Sequence, residues 1–257
     1  TFYYLFFMMQ NIALFAGGDI GLRSLKCLLP LHCAGEICLT VYPSGFDKSM
    51  NEVIAEHGRK NKIYVFDDPS NLLLEKELWM AFSAGNGFLF KQEYIDKPQH
   101  GIINFHAAPL PEFRGSATPA FAILNEVAEF GVTYHMVSEK LDAGPIIHGE
   151  KFLISPDATS NEVDSLCIEK GEEVLKKYAK RWIDLEFQLK ENLITILPYK
   201  RSALELYRKI DISWPQKKIW NHVRAFDWES VLNPAYTELE GKRVYLFARP
   251  RGEKGLN

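Results

Sequence analysis

Residues 11–16 (NIALFA) form a short, unbroken apolar run, the pattern of a strand buried on both faces. Gly17-Gly18-Asp19 follows as a turn. Positions 20–29 then carry Leu22, Leu25, Leu28 and Leu29 at helical spacing, and Pro30 is expected to end that helix. The alternation continues with strand 36–42 (EICLTVY), helix 51–59, strand 62–66 (KIYVF) and strand 79–84 (WMAFSA), the last stopped by Gly85-Asn86-Gly87. Segment 101–106 (GIINFH) reads as a fifth strand.

Strands separated by helices predict an α/β fold with an open, mostly parallel, Rossmann-like sheet. Further on, 119–126 reads as a helix with Pro119 in its first turn, and 131–137 and 145–154 as strands. Residues 159–189 give the clearest helix. Thr159 and Glu162 form a T-x-x-E capping box, and Val163, Leu166, Cys167, Val174, Leu175, Tyr178, Trp182 and Leu185 make its core-facing stripe. After Pro198 the elements shorten, basic and aromatic residues increase, and 236–247 has the pattern of a hairpin. A boundary near Leu197 divides the chain into an N-terminal domain, 1–197, and a small C-terminal α+β subdomain, 198–257.

Composition narrows the function. The chain has 257 residues, 47% hydrophobic and 25% charged, which is the profile of a globular protein. Its net charge of −3 disfavours nucleic acid as the main partner. Segment 1–9 (TFYYLFFMM) lacks the basic start and small-residue cleavage site of a secretory leader. It is also shorter than the ~20 apolar residues that cross a bilayer. It is expected to lead into the first strand, and no membrane partner is expected. Cys27, Cys33, Cys38 and Cys167 show no C-x-x-C spacing. They read as buried free thiols of a reducing, cytoplasmic compartment, with no metal site.

Gly17-Gly18-Asp19-Ile20-Gly21 after the first strand invites a dinucleotide reading, but the spacing is not G-x-G-x-x-G. A tight strand-to-helix turn explains it better. Its glycines still let a phosphate or ribose approach the backbone.

The chemistry concentrates elsewhere. A parallel strand delivers its last residues to the carboxyl edge of the sheet, where open α/β folds bind ligands. In 101–106, alternation puts Asn104 and His106 on one side and Phe105 on the other. Asp142 lies 36 positions beyond His106, in the loop Lys140-Leu141-Asp142-Ala143-Gly144-Pro145. An amide, an imidazole and a carboxylate converging at strand ends suit acyl transfer.

This combination resembles the folate-dependent formyltransferase family. The family pattern is an N-x-H strand end, then P-x-L-P-x-[YF]-R-G, then a D-x-G-x-I loop. Here it stands as Asn104-Phe105-His106, then Leu110-Pro111-Glu112-Phe113-Arg114-Gly115, then Asp142-Ala143-Gly144-Pro145-Ile146. The resemblance extends from about residue 11 to 247. Ala107-Ala108 departs from the usual Pro-Ser pair, which touches the loop and not the trio.

The resemblance implies transfer of a formyl group from N10-formyltetrahydrofolate to an amine, with Asn104, His106 and Asp142 catalytic. Asn104 would donate to the developing oxyanion. His106 would act either as a protonated donor or as general base, and Asp142 would hold the imidazole. The folate would lie against Gly87, Phe88, Leu89 and Phe90 and the Asp142 loop. Among the family's substrates, size and tail fit sugar N-formyltransferases, which act on nucleotide-linked amino sugars. Asn221-His222-Val223-Arg224-Ala225-Phe226 resembles a stretch in their tails. Arg114, Tyr199, Lys200, Arg224, Phe226 and Trp228 are then the expected substrate contacts, supplying cations for a diphosphate and rings for a base. A homodimer is the family expectation. Methionyl-tRNA formyltransferases, with a larger basic C-terminal domain, and glycinamide ribonucleotide formyltransferases, which stop near the core, are the alternatives. A formyl-folate hydrolase and a non-catalytic nucleotide-binding module are the remaining ones.

Overall fold

A computed structural model of the chain describes residues 9–194, 196–228 and 231–249. The apolar segment 1–8 lies outside the described residues. The strands are β1 (Gln10–Ala16), β2 (Ile37–Pro43), β3 (Tyr64–Val65), β4 (Leu78–Ala84), β5 (Ile102–His106), β6 (Glu129–Met136), β7 (Ile146–Leu153), β8 (Ala235–Leu239) and β9 (Lys242–Leu246). The α-helices are α1 (Gly18–Cys33), α2 (Lys48–Lys60), α3 (Gln92–Ile95), α4 (Thr118–Leu124), α5 (Ser160–Ile183) and α6 (Gln216–Ala225).

Seven strands form one sheet in the order β3-β2-β1-β4-β5-β6-β7. Pairs β2/β3, β1/β2, β1/β4 and β4/β5 are parallel, and β5/β6 is antiparallel. This is the open, mostly parallel α/β sheet that the alternating apolar runs predict. The order reverses direction between β1 and β4, which opens a crevice at the carboxyl ends of those strands. Close approach there needs glycine. A Cβ on Gly17 would sit 2.2 Å from the Gly85 carbonyl oxygen, and Gly85 itself has φ +64°.

By contacts, the chain forms two compact units, each discontinuous in sequence. Unit 1 comprises residues 1–106, 133–148 and 170–192, and unit 2 comprises 107–132, 149–169 and 193–257. The tail after 198 therefore shares its unit with two earlier segments instead of standing alone. In unit 1, Ile12, Leu14, Phe15, Leu39, Val41, Met80 and Ile102 are fully buried, each such side chain contributing about 1.5–3 kcal/mol of transfer free energy. Unit 2 buries Phe130, Ala122, Ile123, Leu204, Ile210 and Phe226. Its hairpin, β8 with β9, is antiparallel as the sequence suggests.

Several boundaries differ from the sequence expectation. Helix α1 runs through Pro30 to Cys33. A proline near a C-terminus lacks one backbone donor but can still accept, and Ala34 N–H donates to the Pro30 carbonyl at 3.0 Å. Helix α5 starts at the expected capping box, with Thr159 N–H donating to Glu162 at 2.9 Å, but stops at Ile183 instead of 189. Leu185 takes φ +63°, and Glu186 and Leu185 N–H groups close back on Arg181 and Trp182 at 2.7 and 3.0 Å. That is a Schellman ending with leucine in the place glycine usually takes. The cysteines are free, but Cys33 is exposed and only Cys167 is fully buried, because Cys33 ends α1 at the surface.

Candidate active site

The polar cluster lies in unit 1. On β5, Phe105 turns away and packs its ring 5.4 Å from Tyr134. It also fills the space over Gly171, where a Cβ would come within 2.4 Å of the ring. Asn104 and His106 therefore face the other side. His106 is 8% exposed and Asn104 half-buried. The antiparallel partner β6 sets Asn104 opposite His135 and His106 opposite Thr133. A second imidazole thus joins the trio expected from sequence.

Asp142 stands between the two rings. Its Oδ2 is 3.7 Å from His106 Nδ1 and its Oδ1 is 3.7 Å from His135 Nε2. Both are charge–dipole distances longer than a hydrogen bond. The backbone of Asp142 is left-handed, φ +48°, a region that Asp and Asn tolerate better than most residues. Two features hold it there. Asn192 donates from Nδ2 to the carbonyl oxygens of Asp142 and Gly144 at 3.1 and 3.0 Å. Gly144 sits so near β6 that a Cβ would meet the Met136 carbonyl oxygen at 1.9 Å.

His135 is 2% exposed. Burial first, and then the neighbouring His106, push its pKa down to about 4; Asp142 and the Met136 carbonyl oppose that shift. The ring is neutral at neutral pH. Neither His135 nor Asn192 was found from sequence. Their only advance signal was position: His135 occurs seven residues before Asp142, two after Thr133, in a strand.

The remaining expected site residues divide by unit. In unit 1, Gly87 N–H donates to the Ser44 carbonyl at 2.7 Å, tying the loop after β4 to the loop after β2. Phe88 and Phe90 face inward, their rings 6.1 and 4.8 Å from Phe15. Leu89 points outward, 79% exposed. In unit 2, Arg114 is buried and donates from Nη1 to the Ile196 carbonyl at 3.3 Å. Tyr199 stacks 5.5 Å from Phe113 and lies 4.4 Å from Phe121, while Lys200 is exposed.

Arg224, Phe226 and Trp228 are all buried. Phe226 and Trp228 are 1% and 7% exposed, as core residues are. Arg224 is 6% exposed. Its guanidinium donates to Asn221 Oδ1 from Nε and Nη2 at 3.1 and 3.0 Å, and to the Ala158 carbonyl from Nη1 at 2.8 Å. These are structural bonds, made because a buried cation must have its donors met. Among the described residues, no group of three or more His, Cys, Asp or Glu is arranged to hold a metal ion, and no helix is long and apolar enough to cross a membrane.

An open α/β sheet with an amide, two imidazoles and a carboxylate gathered beside its fifth strand defines a protein with a polar site at the carboxyl edge. Residues 67–178, which hold that cluster except Asn192, match the family described as "Formyl transferase". Over that stretch the chain is similar to the family. It is 32% identical over 171 residues to the methionyl-tRNA formyltransferase of Listeria monocytogenes, covering 66% of this chain and 54% of that protein. The chain thus spans about half the length of that curated relative. Among solved structures it is similar to WlaRD, a sugar 3N-formyl transferase crystallised in the presence of dTDP and 5-N-formyl-THF, with TM-score 0.77, 23% identity and coverage of 92% and 85% of the two chains. It is also similar to the N-formyltransferase of Helicobacter canadensis in complex with folinic acid and dTDP-3-aminofucose, with TM-score 0.74, 22% identity and coverage of 92% and 86%.

Proposed function

We propose that the protein transfers the formyl group of N10-formyltetrahydrofolate to the amine of a nucleotide-linked amino sugar. The observation that carries formyl transfer is the meeting of Asn104, His106 and Asp142 in unit 1. As the amine attacks the formyl carbon, a C–N bond forms and the carbonyl oxygen gains negative charge. The Asn104 amide N–H stabilises that oxygen. The amine nitrogen then loses a proton, the bond from the formyl carbon to N10 breaks, and N10 takes up a proton. His106 is the group placed to move it, and the Asp142 carboxylate favours the imidazolium that forms on the way.

The folate occupies the crevice at the carboxyl ends of β1 and β4, against the backbone of residues 85–90. With Phe88 and Phe90 anchoring the loop, the exposed Leu89 is left to meet the pterin. The nucleotide asks for aromatic faces and cations. In unit 2, Tyr199 and Lys200 line a cavity of about 880 Å³ together with Phe121, Tyr207, Trp214 and Lys218. Likeness over more than nine-tenths of the chain to sugar N-formyltransferases supports the sugar reading. Identity to methionyl-tRNA formyltransferases favours a second reading, with charged initiator tRNA as acceptor.

The test is to incubate the chain with N10-formyltetrahydrofolate and uridine-, thymidine- or guanosine-linked amino sugars, and separately with methionyl-tRNA. Mass spectrometry then identifies the product. A formamide on one sugar nucleotide is expected. Formylated tRNA without any formylated sugar replaces the sugar reading by the second one. Free formate, or no consumption of the donor, ends the formyl-transfer reading.

A further inference from the structure

The four polar side chains of unit 1 are not interchangeable, and the hydrogen bonds of His135 show why. Its Nδ1 lies 2.8 Å from the carbonyl oxygen of Met136. A carbonyl only accepts, so Nδ1 carries the proton. A neutral ring then leaves Nε2 as a bare acceptor. Asn104 Nδ2 stands 3.1 Å from that Nε2. An amide nitrogen only donates, so the pair is consistent in one tautomer and one amide orientation alone.

Asp142 Oδ1 is also near Nε2, at 3.7 Å. In this tautomer both atoms are acceptors, and no bond forms between them. The carboxylate's charge serves His106, and His135 serves Asn104. The cross-strand pairing of Asn104 with His135 makes this geometry a consequence of register.

We propose that His135 is a positioning residue for Asn104: through its Nδ1-protonated tautomer it accepts one amide N–H and fixes which edge of the carboxamide faces the reacting carbonyl. An unrestrained carboxamide turns over readily, and its oxygen would then repel the oxyanion that its nitrogen is needed to stabilise. Bound to His135 through one N–H, the amide keeps its second N–H for the substrate. This rests on the formyl-transfer reading for its effect on rate, but the tautomer and the amide orientation stand independently of it.

The experiment has two arms. Long-range ¹⁵N–¹H correlation on histidine-labelled wild-type protein reads the tautomer of each ring, with His135 assigned by its loss in His135→Gln. Protonation at Nδ1 and a bare Nε2 are expected at neutral pH. A ring protonated at Nε2, or on both nitrogens, overturns the proposal whether or not the protein is active. The kinetic arm compares His135→Leu, which removes the acceptor, with His135→Gln, whose amide oxygen replaces it. Leucine should lower kcat by about 10- to 100-fold with both KM values within a factor of about two, less than the 10²–10³ that loss of an oxyanion donor costs. Glutamine should recover most of the loss, which a merely structural role for the ring would not produce. A leucine variant with wild-type kcat overturns the proposal. If His135→Leu does not fold, the glutamine variant and the wild-type spectrum still decide it: glutamine as slow as Asn104→Ala counts against it. If the wild type transfers formyl to no amine, the functional reading falls, and the spectrum alone judges the lock.

Discussion

Two buried polar clusters, one in each unit, differ in the groups that they gather: a permanent cation among neutral acceptors in unit 2, and a carboxylate between two imidazoles in unit 1. In unit 2, Arg224 is surrounded by acceptors at 2.8 to 3.1 Å, all belonging to the protein. In unit 1, the contacts of Asp142 with two imidazoles stop at 3.7 Å. A closed network spends its donors on the fold, as a buried cation must. A carboxylate set between two imidazoles instead favours the positive charge that a proton transfer places on one of them. The difference separates a basic residue that holds the protein together from an imidazole placed to react.

The comparison breaks most sharply at the unit 1 cluster. His106→Ala and Asn104→Ala should each lower kcat on the order of 10²-fold or more, since they remove the proton carrier and the oxyanion donor. Stability should move by only about 1 kcal/mol. A His106→Ala variant that keeps most of its rate, measured as product formed per enzyme, would take His106 out of the mechanism. Asp142→Asn comes next, with a loss of about 10²-fold. Asparagine tolerates the left-handed backbone of position 142, so the loop persists and only the charge goes. A normal rate and an unchanged pH–rate profile would make Asp142 a turn residue.

The closed cluster predicts the opposite pairing of effects. Arg224→Ala leaves Asn221 Oδ1 and the Ala158 carbonyl without their partner, and should cost about 2–4 kcal/mol in chemical denaturation. At temperatures where the variant is folded, its KM for the donor should stay near the wild-type value. Lys200→Ala should do the reverse, leaving the melting temperature unchanged and raising KM for the nucleotide sugar several-fold. If Arg224→Ala is as stable as wild type but binds the sugar nucleotide poorly, the closed cluster is misread and Arg224 is a ligand after all.

How legible these clusters were depends on what each signal encodes. The parallel strands were plain because a strand buried on both faces must be apolar throughout, as 11–16 is. Alternation on β5 placed Asn104 and His106 on one face, since that periodicity is local. His135 was not legible because its role depends on the register β5 finds with β6, a pairing across 31 residues. The burial of Arg224 was hidden for a related reason: a basic residue beside aromatics reads the same whether its guanidinium meets a phosphate or a buried carbonyl. The end of α5 was hidden by Leu185, which takes a conformation that the sequence code reserves for glycine.

The smallest effect concerns acid, and it tests the neutral imidazoles that distinguish these interiors from a buried cation. His135 has a folded-state pKa of about 4, pushed down chiefly by burial, against about 6.5 in an unfolded chain. His222 in unit 2 is shifted the same way, again by burial first. Below about pH 6.5 the unfolded chain therefore binds protons that the folded chain refuses. The stabilisation from these rings is complete above that pH and is lost progressively as the pH falls, for His135 down to about 4. Exposed carboxylates such as Asp47 and Asp68, whose pKa values are lowered by hydrogen bonds from Ser49 and Ser70, lose their contribution at still lower pH. Melting temperatures measured at pH 7 and pH 5 separate the two windows, because the carboxylates have barely begun to titrate at pH 5. Wild type should lose stability over that interval. His135→Gln, starting from a lower value at pH 7, should lose less, and His222→Gln should likewise flatten the slope. Equal slopes for wild type and His135→Gln would mean that the ring at 135 accepts a proton as readily in the folded protein as outside it, and a charged ring at that position is incompatible with an acceptor for Asn104.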